Sequence, residues 1–165
     1  SPKGELVSDY VKLHPFSFAK ETEYFEPGKT LPPSVKINGV SLTTFICYDL
    51  RFPEIFQAIS NQADLIVVAA NWPAIRSEHW KALLKARAIE NQCYVVGINC
   101  VGNIGTLNYS GNSSLYDPQG VDCIQPALIE EATQTCVVTV QAVIDYRASF
   151  PIKSDRKPRF YKEVL

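Results

Sequence analysis

Two strand-length apolar runs, with a helix-length segment between them, leave this chain few architectures. Leu65-Ile66-Val67-Val68-Ala69-Ala70 follows Asp64 without a polar interruption, as suits a strand buried on both faces. Cys93–Val101 reads as a second buried strand. Between them, Asn71-Trp72-Pro73 ends the first run and Ser77 is placed to cap a helix over 78–91. Trp80, Leu83, Leu84 and Ala88 then share one helix face at i, i+3, i+4 and i+8. Helices that fall between apolar strands argue for a layered α/β sheet.

The remaining segments fit around that unit. Residues 5–11 alternate weakly, as a strand does, and 13–34 carry four prolines and read as a long loop. Asn38-Gly39 predicts a hairpin turn between two strands over 35–47. The chain then turns at Tyr48–Phe52, and Pro53, with Glu54 behind it, opens a helix. Short strands are predicted near 113–117 and 120–124, about the turn Asp117-Pro118-Gln119-Gly120, and a final strand over Cys136–Val143. Residues 153–165 are polar and basic and read as an extension across a surface.

The chain's 165 residues, 46% of them hydrophobic, suit one domain with a core that needs neither disulfides nor metal. A net charge of −1 gives no basic excess for nucleic acid or an anionic membrane. No apolar run reaches membrane-spanning length. Ser1-Pro2-Lys3-Gly4 has neither the apolar core of a signal peptide nor an initiator Met, and reads as part of a longer or trimmed product. The five cysteines are odd in number and show no C-x-x-C pair, and His14 and His79 stand 65 apart. These features predict a cytoplasmic protein with reduced, mostly buried thiols and no metal site.

Cys47 differs from the other thiols in position. It ends the strand Thr44-Phe45-Ile46 and precedes a sharp turn into a helix, where free N–H groups and the helix dipole favour a thiolate and can hold an oxyanion. A nucleophilic thiol needs a base or a cation beside it. His14, His79 and Lys12 are the candidates, and the residues alone leave the choice among them, and the alternative of a buried core cysteine, open.

Phe45-Ile46-Cys47-Tyr48-Asp49-Leu50-Arg51-Phe52-Pro53-Glu54 resembles the nucleophile segment of the nitrilase superfamily of carbon–nitrogen hydrolases. Tyr10-Val11-Lys12-Leu13-His14-Pro15-Phe16 resembles that family's lysine segment. Asn71-Trp72-Pro73, His79-Trp80 with Ala86 to Gln92, and Gly111 to Gly120 resemble three further blocks in the same order. Several coincident blocks are far more specific than one short motif.

The resemblance implies Cys47 as nucleophile, Lys12 as the cation on the tetrahedral oxyanion, and Tyr48 as donor of an oxyanion-hole N–H. Glu21 falls where the family places a supporting glutamate, with Glu23 two residues on. The family's general base, a glutamate well before the lysine segment, has no match here. The implied fold is an α-β-β-α sandwich without its opening strands and helices, within a single domain truncated at its N-terminus. The implied activity is an amidase that converts a small carboxamide to acid and ammonia through a Cys thioester, without a cofactor. The blocks look most like the omega-amidase group, which acts on amides of short dicarboxylates, with Arg51 or Trp72 near enough in sequence to contact substrate. An N-carbamoyl amide hydrolase of the same superfamily and a catalytically inactive structural fragment are the alternatives. The resemblance also implies a homodimer or larger homo-oligomer, and inactivity of these residues alone. Cys100 stands where the family often has Arg. Arg87 and Glu90 read as a pair on one helix rather than as catalytic groups.

Overall fold

The computed structural model describes residues 1, 3–125 and 127–164. Asn38 and Gly39, at φ 49° and 88°, form the tight turn between β1 (Val35–Ile37) and β2 (Val40–Ile46), which pair antiparallel. Both turn positions need positive φ, which is why Asn-Gly occupies them. The chain leaves β2 through a 3-10 helix, Cys47–Arg51, into α1 (Pro53–Ile59), whose first residue is the predicted proline. β3 (Leu65–Ala70) lies parallel to β2, α2 (Ser77–Asn91) crosses back, and β4 (Tyr94–Asn99) lies parallel to β3. A separate antiparallel ribbon, β5 (Val101–Ile104) and β6 (Leu107–Ser110), leads to β7 (Ser114–Tyr116), antiparallel to β4. The main sheet thus has five strands in the order β1-β2-β3-β4-β7. α3 (Val140–Ser149) and α4 (Pro158–Val164) follow. This is the α/β class that the alternation of apolar runs predicts.

The core lies between the sheet and the two crossover helices. Phe45, Ile66, Val68 and Val95 pack with Phe56 of α1 and with Trp80, Leu84 and Ala88 of α2, all fully buried. The Phe45 and Phe56 rings stand 4.4 Å apart. Gly97 lets α2 approach β4 this closely, since a Cβ there would run into the Leu84 and Trp80 side chains. Gly97→Ala should therefore cost about 1–3 kcal/mol of stability. Chemical unfolding of the whole protein measures it, and an unchanged midpoint would mean that α2 is not seated as closely as described.

The opposite face departs from expectation. Tyr94, Leu115 and Ile124 pack there with Val143 of α3, but Ala69 and Ile98, near the C-terminal ends of β3 and β4, are exposed. β3 and β4 are thus buried on one face and only partly covered on the other, because α1 and α2 cover a single side. Residues 5–11 form no strand, and Leu6, Val7 and Val11 are exposed. Their alternation is that of a strand, but none of the described residues pairs with them.

Four further segments differ. Residues 136–139 are irregular, and the predicted final strand gives way to α3. Its β-branched residues suggested a strand, but Val140, Val143 and Ile144 recur at helical spacing, with Val143 buried. The Asp117–Gly120 turn forms, with the Gly120 N–H donating to the Asp117 carbonyl at 2.9 Å. Beyond it only the single bridge Tyr116–Asp122 replaces a strand over 120–124. Ser77 is inside α2 rather than at its cap, and its hydroxyl accepts from Asn112 Nδ2 at 3.0 Å. The basic tail is helical in two short pieces, docked through Lys153 on the Ser60 carbonyl and Arg156 on Gln57. Cations suit these carbonyls at the end of α1.

Among the described residues no helix is long and apolar enough to cross a membrane. The thiols are not mostly buried. Only Cys93 is, while Cys123 is exposed and Cys47, Cys100 and Cys136 are intermediate.

Candidate active site

Cys47 has φ 46°, in the left-handed region that a non-glycine residue enters at a cost on the order of 1–3 kcal/mol. The bend turns the chain sharply at the C-terminal end of β2, beside the end of β3. Ligands gather there in open α/β sheets, and strained nucleophile turns occur there. The register pairs Ile46 with Ala69, which brings Cys47 beside Ala70 and Asn71. The Asn71 backbone favours the thiolate there. The Cys47 and Tyr48 N–H groups precede the first intrahelical bond of the 3-10 helix, so they have no partner within it.

Burial pushes the Cys47 thiol above its ordinary pKa. The Lys12 charge and the Asn71 backbone pull it down without overcoming burial, and Glu21 and Asp49 add to the rise. The resting group is a thiol, and attack requires that a base take its proton.

Lys12 Nζ donates to Glu21 Oε2 at 2.6 Å, and the same oxygen accepts the Phe16 N–H at 2.9 Å. Burial raises the Glu21 pKa, but the bonds from Lys12 and Phe16 outweigh it and leave the carboxyl below its usual range. Glu21 is thus an ionised brace for the ammonium and a poor acceptor for the thiol proton. Gly28 fixes the backbone behind Lys12. Its N–H donates to the Lys12 carbonyl at 2.8 Å, and a Cβ there would strike the Val11 backbone. Glu23 turns away and pairs with Lys20 at 3.5 Å.

A cavity of about 720 Å³ is lined by Lys12, Glu21, Cys47, Tyr48, Arg51 and Trp72, so the six residues singled out from the sequence meet in one place. The two histidines do not line it. His14 Nδ1 donates to Asp49 at 2.9 Å with its ring stacked on Phe52, and His79 Nδ1 accepts from Arg51 at 3.3 Å. Arg87 pairs with Glu90 at 2.9 Å and donates to the Leu50 carbonyl, away from the cavity.

Asn71, Arg76 and Tyr109 also line the cavity and were not anticipated. Asn71 could have been, since it ends the apolar strand beside the nucleophile's own. Arg76 gave no sequence signal. Its guanidinium lies 5.8 Å from the Phe18 ring centre, and that of Arg51 lies 4.8 Å from the centre of Trp72. Neither arginine meets a carboxylate within ion-pair distance among the described residues. Trp72 is held rigidly, its N–H and carbonyl both bound to the Asn99 side chain and its indole N–H donating to the Arg76 carbonyl at 2.8 Å. Cys100 lines the cavity as well. Among the described residues no three His, Cys, Asp or Glu side chains gather as metal ligands would.

Comparison with known proteins shows the family. Residues 1–148 match the carbon-nitrogen hydrolase family. A "hydrolase in agr operon" of Staphylococcus lugdunensis is 37% identical over 96% of this chain and 68% of its own length. The omega-amidase YafV of Escherichia coli K12 is 41% identical over 92% of this chain and 59% of its own. A 2-oxoglutaramate amidase of Bacillus subtilis is 34% identical over 96% and 61%. Among solved structures, a CN-hydrolase superfamily protein of Xanthomonas campestris with an arsenic adduct in its active site superposes with a TM-score of 0.85 at 35% identity. That likeness covers 95% of this chain and 61% of the other.

Proposed function

This chain belongs to the carbon–nitrogen hydrolase family, and from that premise we propose that the whole protein is an amidase for the monoamides of short dicarboxylates. Cys47 Sγ attacks the amide carbonyl, while Lys12 and the Tyr48 N–H stabilise the oxyanion. Collapse expels ammonia and leaves a thioester on Cys47, which water hydrolyses to the acid. A carboxylate takes the thiol proton, delivers it to the departing nitrogen and then activates the water. Among the described residues Glu21 is the only acidic one that lines the cavity, and it is committed to Lys12. The base in this scheme is therefore a carboxylate from outside residues 1–165.

The observation that carries the reading is the fixed Lys12–Glu21 pair sharing one cavity with a thiol on a strained turn. The substrate's second end is argued from charge. Arg51 and Arg76 line the same cavity without a carboxylate partner among the described residues, which suits an anionic group on the ligand. The names of the omega-amidase and 2-oxoglutaramate amidase relatives support the same class.

Ammonia release from a short dicarboxylate monoamide, compared with a neutral amide of equal length, tests the reading. The whole protein should prefer the monoamide in kcat/KM. Arg76→Ala should raise KM for it by about 10- to 100-fold, the worth of one charged hydrogen bond, and leave the neutral amide unaffected. Equal use of both amides by the unmutated protein would refute the assignment of an anionic substrate.

A further inference from the structure

Lys12 and Cys47 are 35 residues apart and belong to different segments, one of them an irregular loop, yet their side chains must keep a fixed separation to work together. What links them is a buried carboxylate that belongs to neither. Asp49 lies two residues past Cys47 in the 3-10 helix and is completely buried. Its Oδ1 accepts the His14 N–H at 3.0 Å and His14 Nδ1 at 2.9 Å. Its Oδ2 accepts the Tyr10 hydroxyl at 2.8 Å and the Ile46 N–H at 3.2 Å. The Tyr10 oxygen in turn accepts the Leu13 N–H at 3.2 Å.

The Lys12 segment is therefore wrapped around the carboxylate on both sides of Lys12, through Tyr10, Leu13 and His14. The Ile46 bond ties the same carboxylate to the residue before the nucleophile. A buried carboxylate is costly unless its lone pairs are filled, so the four donors and Asp49 hold one another in place. We infer that Asp49 is a positioning residue that sets the separation of the Lys12 ammonium from the Cys47 thiol. Its own oxygens are occupied by these donors, and it does not line the cavity. Tyr10 is suited to its part, since burial and the Asp49 bond raise its pKa and keep it a donor.

This inference rests on the reading of Cys47 and Lys12 as the working pair, and the experiment separates the two. The rate at which iodoacetamide alkylates Cys47 is measured against pH in the whole protein, for the unmutated form and for Lys12→Met, Asp49→Asn, the double variant and Tyr10→Phe. Alongside it, kcat and KM are measured for a dicarboxylate monoamide. Removal of the Lys12 charge should move the alkylation midpoint upward, because that charge favours the thiolate.

Asn has the shape of Asp but turns one acceptor into a donor that faces the Tyr10 and Ile46 donors. Asp49→Asn should therefore lower kcat by about 10- to 100-fold, with KM within a few-fold, as loss of a transition-state contact does; its alkylation midpoint combines two opposed effects, because the change also removes a negative charge that raises the thiol pKa. The double variant should be no worse than Lys12→Met alone, since both changes remove one function. Tyr10→Phe keeps the Asp49 charge and three of the four donors to it, so it should move the midpoint upward by less than Lys12→Met does, and it decides the matter.

An unmoved alkylation profile in Tyr10→Phe, or an unchanged kcat in folded Asp49→Asn, would overturn the inference. So would additive losses in the double variant. If Lys12→Met itself leaves kcat unchanged, the reading of the working pair fails instead.

Discussion

Cys47→Ala in the whole protein should remove turnover, with kcat lower by about 10⁴-fold or more, the scale seen when a covalent nucleophile is deleted. The loss should be specific to this thiol. Cys93 is fully buried in the core, and its burial pushes its pKa up to about 12, so it stays protonated and shielded. Cys93→Ala should lower stability by about 1–2 kcal/mol, as truncation of a small core residue does, and leave kcat within a few-fold. Steady-state kinetics with thermal unfolding separate the two effects. Turnover in Cys47→Ala within tenfold of the unmutated protein would end the covalent mechanism.

Lys12→Met should lower kcat by about 10²- to 10³-fold, the usual loss on removing one oxyanion-stabilising group, with KM little changed. Met keeps the unbranched length and takes away the charge. Glu21 loses its ammonium partner but retains the Phe16 N–H, and its side chain is 32% exposed, so water can solvate it. The prediction is thus not confounded by a stranded buried charge. A rise in KM alone would make Lys12 a substrate-binding cation and not a stabiliser of the oxyanion.

The parts of this molecule that were legible in the sequence are those that local pattern specifies. Asn38-Gly39 dictates its turn, Pro53 opens its helix, and Trp80, Leu84 and Ala88 mark the face that α2 buries. Where a segment's state depends on distant partners, pattern misled. Residues 5–11 alternate but have no pairing strand among the described residues, and 137–140 are β-branched yet open onto a helix whose anchor is Val143. Apolar residues on β3 and β4 did not reveal which face the helices leave uncovered.

The site divides in the same way. The thiol at a strand end was legible from local order, but its partner was not, since a histidine was the obvious candidate and Lys12 only a competing one on residues alone. The fold gives each histidine another partner, Asp49 for His14 and Arg51 for His79. It brings Lys12 to the cavity with Glu21 rather than Glu23. Asp49 was illegible because its role lies in contacts to residues 35 and 39 positions away. Arg76 shares the cavity from the loop after β3, which the bonds between Asn99 and Trp72 tie to the end of β4.

Cys47 should carry the acyl group between two half-reactions. The direct measurement is peptide mass mapping of the whole protein, quenched in acid during turnover of a dicarboxylate monoamide. The expected result is a mass gain equal to the substrate less ammonia on the peptide that contains Cys47, and on no other cysteine peptide. An acyl group on another residue, or ammonia released while every Cys47 peptide stays unmodified, would contradict it.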